Sequence, residues 1–174
     1  MVMGPTRDLG PCVMTWNSTD LGKTFGSVLF RYAEEDKGVF EDQMGTGSVD
    51  DILVGQPCEV EVPLTRMALS KLSALIAGAS GSGTSGEGNM TVKLGVGKSR
   101  YDRAQELILK PVLENGAADP DTGTWLHIFK ASPRPNFELT YNNEGQRVYK
   151  MVFKGYPDQS GTGALYRIWR IGPA

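Results

Sequence analysis

Hydrophobic and polar positions alternate with a period of two along most of this chain, the spacing of a strand with one buried face. Cys58-Glu59-Val60-Glu61-Val62 alternates cleanly, and Pro63 predicts its end. Phe137-Glu138-Leu139-Thr140-Tyr141 alternates apolar with polar and stops at the turn pair Asn142-Asn143. Over 147–154, Tyr149, Met151 and Phe153 share one face, while Lys150 and Lys154 share the other with Val148 and Val152. Residues 90–96, 125–130 and 165–171 predict further strands, the last two rich in aromatic and branched side chains.

One segment changes period. Ala68, Leu69, Leu72, Leu75 and Ile76 recur at helical spacing, Thr65 stands where an N-cap belongs, and Gly78 suits the position past the C-terminus. This predicts one helix over 65–77. A flexible Gly/Ser loop over 78–89 follows it. A weaker helical turn is expected at 100–105, and the turn-rich stretches 115–124 and 156–163 are expected to protrude.

Residues 27–44 predict a long hairpin. Residues 27–36 read as one strand of about 30 Å, Lys37-Gly38 as a tight turn, and 39–44 as the returning strand. Glu34, Glu35, Asp36, Glu41 and Asp42 stand against Lys37 near its tip. A solvated tip would carry such charge. A long hairpin with bare edges, however, invites uncontrolled pairing unless something covers it, and pairing with copies of itself would make it an assembly element.

Composition adds constraints. The 174 residues suit one domain, with 40% apolar and 22% charged residues. Twenty-two glycines and 10 prolines argue against a helical bundle and for short strands joined by turns. A net charge of −2 argues against a basic nucleic-acid reader. The N-terminus shows no secretory pattern, and no run reaches the ~18 apolar residues of a membrane span. Cys12 and Cys58 are therefore expected as reduced thiols.

Candidate chemistry is thin. Gly81-Ser82-Gly83-Thr84-Ser85-Gly86 matches a dinucleotide fingerprint, but it follows a helix and precedes a strand, the reverse of what a pyrophosphate site needs. Gly97-Lys98-Ser99 resembles the end of a phosphate-binding loop, yet Val92 stands where that loop requires glycine. His127 is the single histidine and lies between Trp125 and Phe129 on one strand face, a packed or interfacial setting. The acidic pairs Asp50-Asp51 and Asp119/Asp121 sit in turn contexts. The chain is read as non-enzymatic, with no cofactor and no metal.

Gly10-Pro11-Cys12-Val13-Met14-Thr15-Trp16-Asn17, then Asp20-Leu21-Gly22-Lys23-Thr24, then the acidic hairpin ending Glu41-Asp42-Gln43-Met44-Gly45-Thr46, then Val49-Asp50, resembles the major tail tube proteins of long-tailed bacteriophages. Val60-Glu61-Val62-Pro63-Leu64 entering a helix fits the same pattern, and the likeness is strongest over 10–77. The resemblance implies a β-sandwich or barrel flanked by one helix. It implies hexameric rings whose hairpins join around a channel, stacked into a virion tail tube that is assembled in the host cytoplasm and conducts DNA during ejection. The implied partners are other copies of the chain, a tape-measure protein in the lumen, tail terminator and baseplate or tip proteins, passing double-stranded DNA and, in contractile tails, a sheath. By this analogy Glu34, Glu35, Asp36, Glu41 and Asp42 line the lumen, and Asp20, Leu21, Lys23, Val49, Asp50, Trp169 and Arg170 make subunit or ring contacts. The segment up to Gly10, the loop over 17–24, residues 45–55 and 165–174 share the contact role, for want of patterning of their own. Two other readings stand beside this one: a tube protein of a contractile injection or secretion system, and a carbohydrate- or capsid-binding β-sandwich with Trp125, Tyr166 and Trp169 as a stacking surface.

Overall fold

A computed structural model describes residues 11–40, 47–65, 67–82, 88–113, 116–136, 148–160 and 166–173. The expected strand at 137–141, the turn at Asn142-Asn143, the segment up to Gly10, and Glu41 and Asp42 lie outside the described residues. The chain is mainly β, an antiparallel sheet curled into a half-barrel, with one α-helix among the described residues. In order it forms β1 (Cys12–Trp16), β2 (Thr19–Asp20), β3 (Lys23–Thr24), β4 (Leu29–Tyr32), β5 (Glu35–Phe40), β6 (Ser48–Gly55), β7 (Cys58–Thr65), α1 (Leu69–Leu75), β8 (Ala79–Ser82), β9 (Asn89–Val92), β10 (Gln105–Pro111), β11 (Leu126–Pro135), β12 (Tyr149–Tyr156) and β13 (Trp169–Ile171).

The main sheet runs β2-β1-β10-β11-β12-β7-β3, with β4 also on β7 and β13 also on β11. Its inner face is the core, where Met14, Trp16, Val60, Val62, Leu107, Ile128, Met151 and Phe153 are buried; of these, Val60, Val62, Met151 and Phe153 follow the predicted alternation, whereas β1 and β10 are not among the expected strands. A register shift between β10 and β11 lets both Ile128 and Ala131 point inward, although one is even and the other odd. Before the shift, His127 and Phe129 therefore face outward, and after it Lys130 and Arg134 do.

Pro63 does not end its strand; β7 continues to Thr65. Its missing N–H points toward the edge where β3 pairs with 64–65 and β4 with 58–61, leaving 62–63 between the two ladders. The Pro63 carbonyl on that edge accepts from the Phe25 amide at 2.9 Å, so the proline removes only a donor that had no ladder partner.

The helix is shorter than its pattern predicts. It begins at Leu69 after Ala68, without a side-chain cap, because Thr65 is still strand and its hydroxyl donates to the Lys23 carbonyl at 3.2 Å. Leu72 and Leu75 plug into the core, each contributing about 1.5–3 kcal/mol relative to exposure. The first part of the Gly/Ser stretch is not a loop: β8 pairs with β9, while 83–87 lie outside the described residues. Gly81 is closely packed there, since a Cβ would stand 3.1 Å from the Asn89 carbonyl oxygen and 3.2 Å from Ser73 Cβ on α1. The strand expected over 90–96 ends at Val92.

The hairpin is real but closes elsewhere. Lys37 and Gly38 are mid-strand residues paired with Ile52 and Asp51, so they do not form the turn. The expected single strand is interrupted at Ala33-Glu34. Register continues across the break, from Tyr32 opposite Cys58, through the Ala33 amide on the Pro57 carbonyl at 3.1 Å, to Glu35 opposite Gly55. Strands β4-β5 and β6-β7 thus form one long ribbon, its inner half embedded in the main sheet. The ladder to β12 runs out at Glu59, and beyond it, among the described residues, β5 and β6 pair only with each other as a two-stranded sheet.

Candidate functional site: a two-stranded acidic arm

The ribbon's outer half is an arm about 20–26 Å long, from six residues of β5 and eight of β6. Its two faces follow from the register. Gly38, Phe40 and Asp51 share one face, as a Cβ on Gly38 would stand 3.1 Å from the Phe40 ring and 3.4 Å from the Asp51 carboxylate. Asp36 and Leu53, paired with each other, continue that face. Lys37 and Ile52, then Val39 and Asp50, form the other.

Neither face is covered by the other described residues. Val39, Phe40, Val49, Ile52, Leu53 and Val54 are all exposed, Phe40 at 65% and Val54 at 60%. Monomeric surfaces carry scattered apolar side chains; six on one unsupported arm form a patch of the kind that marks an interaction site. Glu35, Asp36, Asp50 and Asp51 against Lys37 leave the described arm with a charge of −3. Charge and apolar surface are interleaved, as at an interface that must stay soluble until it is occupied.

The joint at the arm's base is organised by polar contacts. The Tyr32 hydroxyl donates to the Glu34 carboxylate at 2.8 Å, and the Gln56 side-chain amide donates to the Tyr32 oxygen at 2.9 Å. The Glu34 hydrogen bond raises the Tyr32 phenol above its ordinary value of 10.0. Deeper in the ribbon, Glu61 sits between Lys150 at 2.6 Å and Arg31 at 3.2 Å. The Lys150 contact holds its carboxyl below the ordinary value. These ion pairs tie β4, β7 and β12 together where the arm leaves the sheet. An open groove of about 550 Å³, lined by Leu53, Val54, Pro57, Tyr156 and Ile168 among others, runs beside the joint.

The expected lumen residues divide. Glu35 and Asp36 are on the arm, Glu34 is in the joint, and Glu41 and Asp42 fall outside the described residues. Among the expected contact residues, Val49 and Asp50 prove to be part of the arm's returning strand. Asp20 and Lys23 are exposed on β2 and β3; the Asp20 carboxylate accepts from the Gly22 amide at 2.9 Å. Leu21, expected at a subunit contact, is 2% exposed and belongs to the chain's own core. Trp169 is half-buried against Phe30 and Tyr32, with ring centroids at 5.5 and 5.3 Å. The Arg170 guanidinium lies 5.3 Å over the Phe129 ring.

Trp125 and Trp169 fall on opposite faces of the sheet. Trp169 pairs with inward-facing Ile128, whereas Trp125 lies beside outward-facing His127 with ring centroids 6.2 Å apart. They do not form one stacking platform. His127 is 6% exposed, with Nδ1 at 3.2 Å from Glu106 and Nε2 without a hydrogen-bond partner. Among the described residues no three His, Cys, Asp or Glu side chains gather as a metal site, and no helix is long and apolar enough to cross a membrane.

The expected contact segment 45–55 includes Ile52, Leu53 and Val54 without singling them out, yet these three carry much of the arm's exposed apolar surface. The signal was present: an apolar run following two acids at the end of a segment taken as unpatterned.

No protein-family model matches the chain, and no curated protein matches its sequence. What defines it is a class of architecture, a curled antiparallel half-barrel with one helix and a projecting acidic arm.

Proposed function

We propose that this chain is a structural subunit that polymerises with copies of itself through the β5–β6 arm, as a phage tail tube protein does, in stacked hexameric rings around a conduit for DNA. The observation that carries the reading is the arm: six exposed apolar side chains and four acids on a ribbon that leaves its own sheet. Exposed two-stranded edges of this kind are an aggregation hazard unless a partner covers them, and closed assembly removes the hazard. The acids fit a conduit. Duplex DNA carries one charge per ~1.7 Å, and a basic wall would retain it through counterion release. An acidic wall repels it at every register and leaves no sticking points. The resemblance over 10–77 supplies the specific assembly.

Negative-stain microscopy and light scattering of the purified protein test this. Rings or tubes are expected, and they should be lost when Phe40→Ser and Ile52→Ser are combined on the arm. A monodisperse monomer at high concentration overturns the reading.

A further inference from the structure

A second apolar patch lies on a different element from the arm. Val92, Leu94 and Val96 alternate with Lys93 and Gly95 just past β9, and their side chains are 54%, 88% and 83% exposed. Gly95 faces the body instead: a Cβ there would stand 3.2 Å from the Ala77 carbonyl oxygen. The Lys93 amide donates to the Gly78 carbonyl at 2.9 Å. These two anchors on the turn after α1 hold the segment against the body with its three aliphatic side chains turned out. Nothing local explains their exposure, since polar residues would serve the same backbone equally well.

The surroundings of this strip have a sign. Residues 92–100 contain Lys93, Lys98 and Arg100 and no acid, a local charge of +3, and all three are exposed. The arm carries −3. One molecule thus displays two uncovered apolar surfaces of opposite charge, on different elements.

We propose that the strip Val92-Leu94-Val96 with its basic flank receives one of the two faces of the acidic arm of a neighbouring copy, leaving the acids of the other face to the conduit. This deepens the assembly reading and rests on it, naming the surface on which the arm lands. Opposite charge steers the encounter and disfavours arm-on-arm and strip-on-strip contacts, which would set like charges together. The aliphatic side chains then supply the desolvated centre of the contact. Because donor and acceptor surfaces differ, the contact is heterologous, and repeating it generates a ring if the rotation closes or a filament if it does not.

The test uses two full-length variants, one with the arm disabled (Phe40→Ser, Ile52→Ser) and one with the strip disabled (Leu94→Ser, Val96→Ser). All four positions are exposed, and a retained unfolding midpoint confirms folding. Each variant alone is expected to lose the wild-type assembly. Mixed, they still hold one intact strip and one intact arm between them, so native mass spectrometry should show 1:1 pairs that grow no further. A charge exchange gives an independent readout: Lys93→Glu with Lys98→Glu, and separately Asp50→Lys with Asp51→Lys, should each weaken assembly at least tenfold, and all four changes combined in one chain should restore it. A strip variant that assembles like wild type overturns this inference and leaves the assembly reading standing. A wild-type protein that stays monomeric overturns both.

Discussion

The indole nitrogen of Trp16 donates to the backbone carbonyl of Ala131 at 2.9 Å, a bond between β1 and β11 although β10 stands between those strands in the sheet. It spans the inside of the curl beside the register shift that turns Ala131 inward, and the same indole lies 6.4 Å from the Phe153 ring. A hydrogen bond across the interior holds the curvature of the sheet as well as its stability.

Trp16→Phe keeps an aromatic ring in the core and removes the donor. The Ala131 carbonyl then loses its side-chain partner in a buried setting, at a cost of about 1–3 kcal/mol. Urea unfolding should show the midpoint falling with little change in slope. An unchanged midpoint would show that the bond contributes nothing net.

Asp158 is buried at 7% exposure and accepts from the Ser160 hydroxyl at 2.6 Å and the Ser160 amide at 3.1 Å, with Arg167 at 3.7 Å. The Ser160 hydrogen bonds hold its carboxyl below the ordinary value of 3.8. A carboxyl depressed on folding stabilises the protein above its unfolded value, and that stabilisation is lost as pH falls through the folded one. Asp158→Asn is therefore expected to be less stable than wild type at pH 6, with the gap closing as pH falls below about 3.8. Thermal melts of both proteins from pH 6 to pH 3 check this; a gap that widens toward acid contradicts it.

Cys12 and Cys58 are free thiols that burial pushes up to about 11. At pH 8 about one thiol in a thousand is then thiolate, before access is considered. Ellman's reagent should react slowly with the native protein and rapidly with both thiols once it is unfolded. Fast stoichiometric reaction of Cys58 in the native state would show that the β7–β12 region opens readily.

Much of this architecture is written in local pattern. Alternation places Val60, Val62, Met151 and Phe153 in the core, because a pleated strand with one wet face admits no other assignment. The helix is legible from Leu72 and Leu75, but not its start. Thr65 has capping chemistry, yet pairing with Lys23 on β3 keeps it in the sheet, and a ladder bond outcompetes a cap. Lys37-Gly38 failed as a turn for a related reason. A glycine permits a turn without requiring one, and the partners Ile52 and Asp51 extend the strand through it.

By itself the sequence determined the class: a mainly β chain with one short helix, and an acidic ribbon with too much charge and apolar surface for a quiet hairpin. These are period-two patterns and charge counts, and both are local. Only the tertiary structure decided where the ribbon leaves the sheet, because that depends on β12 ceasing to pair with β7 beyond Glu59, a contact between residues some 95 positions apart. It likewise sent Leu21 inward and left Val92, Leu94 and Val96 outside. Burial belongs to the whole packed body, and hydrophobicity alone does not say which apolar residues the body has room to cover.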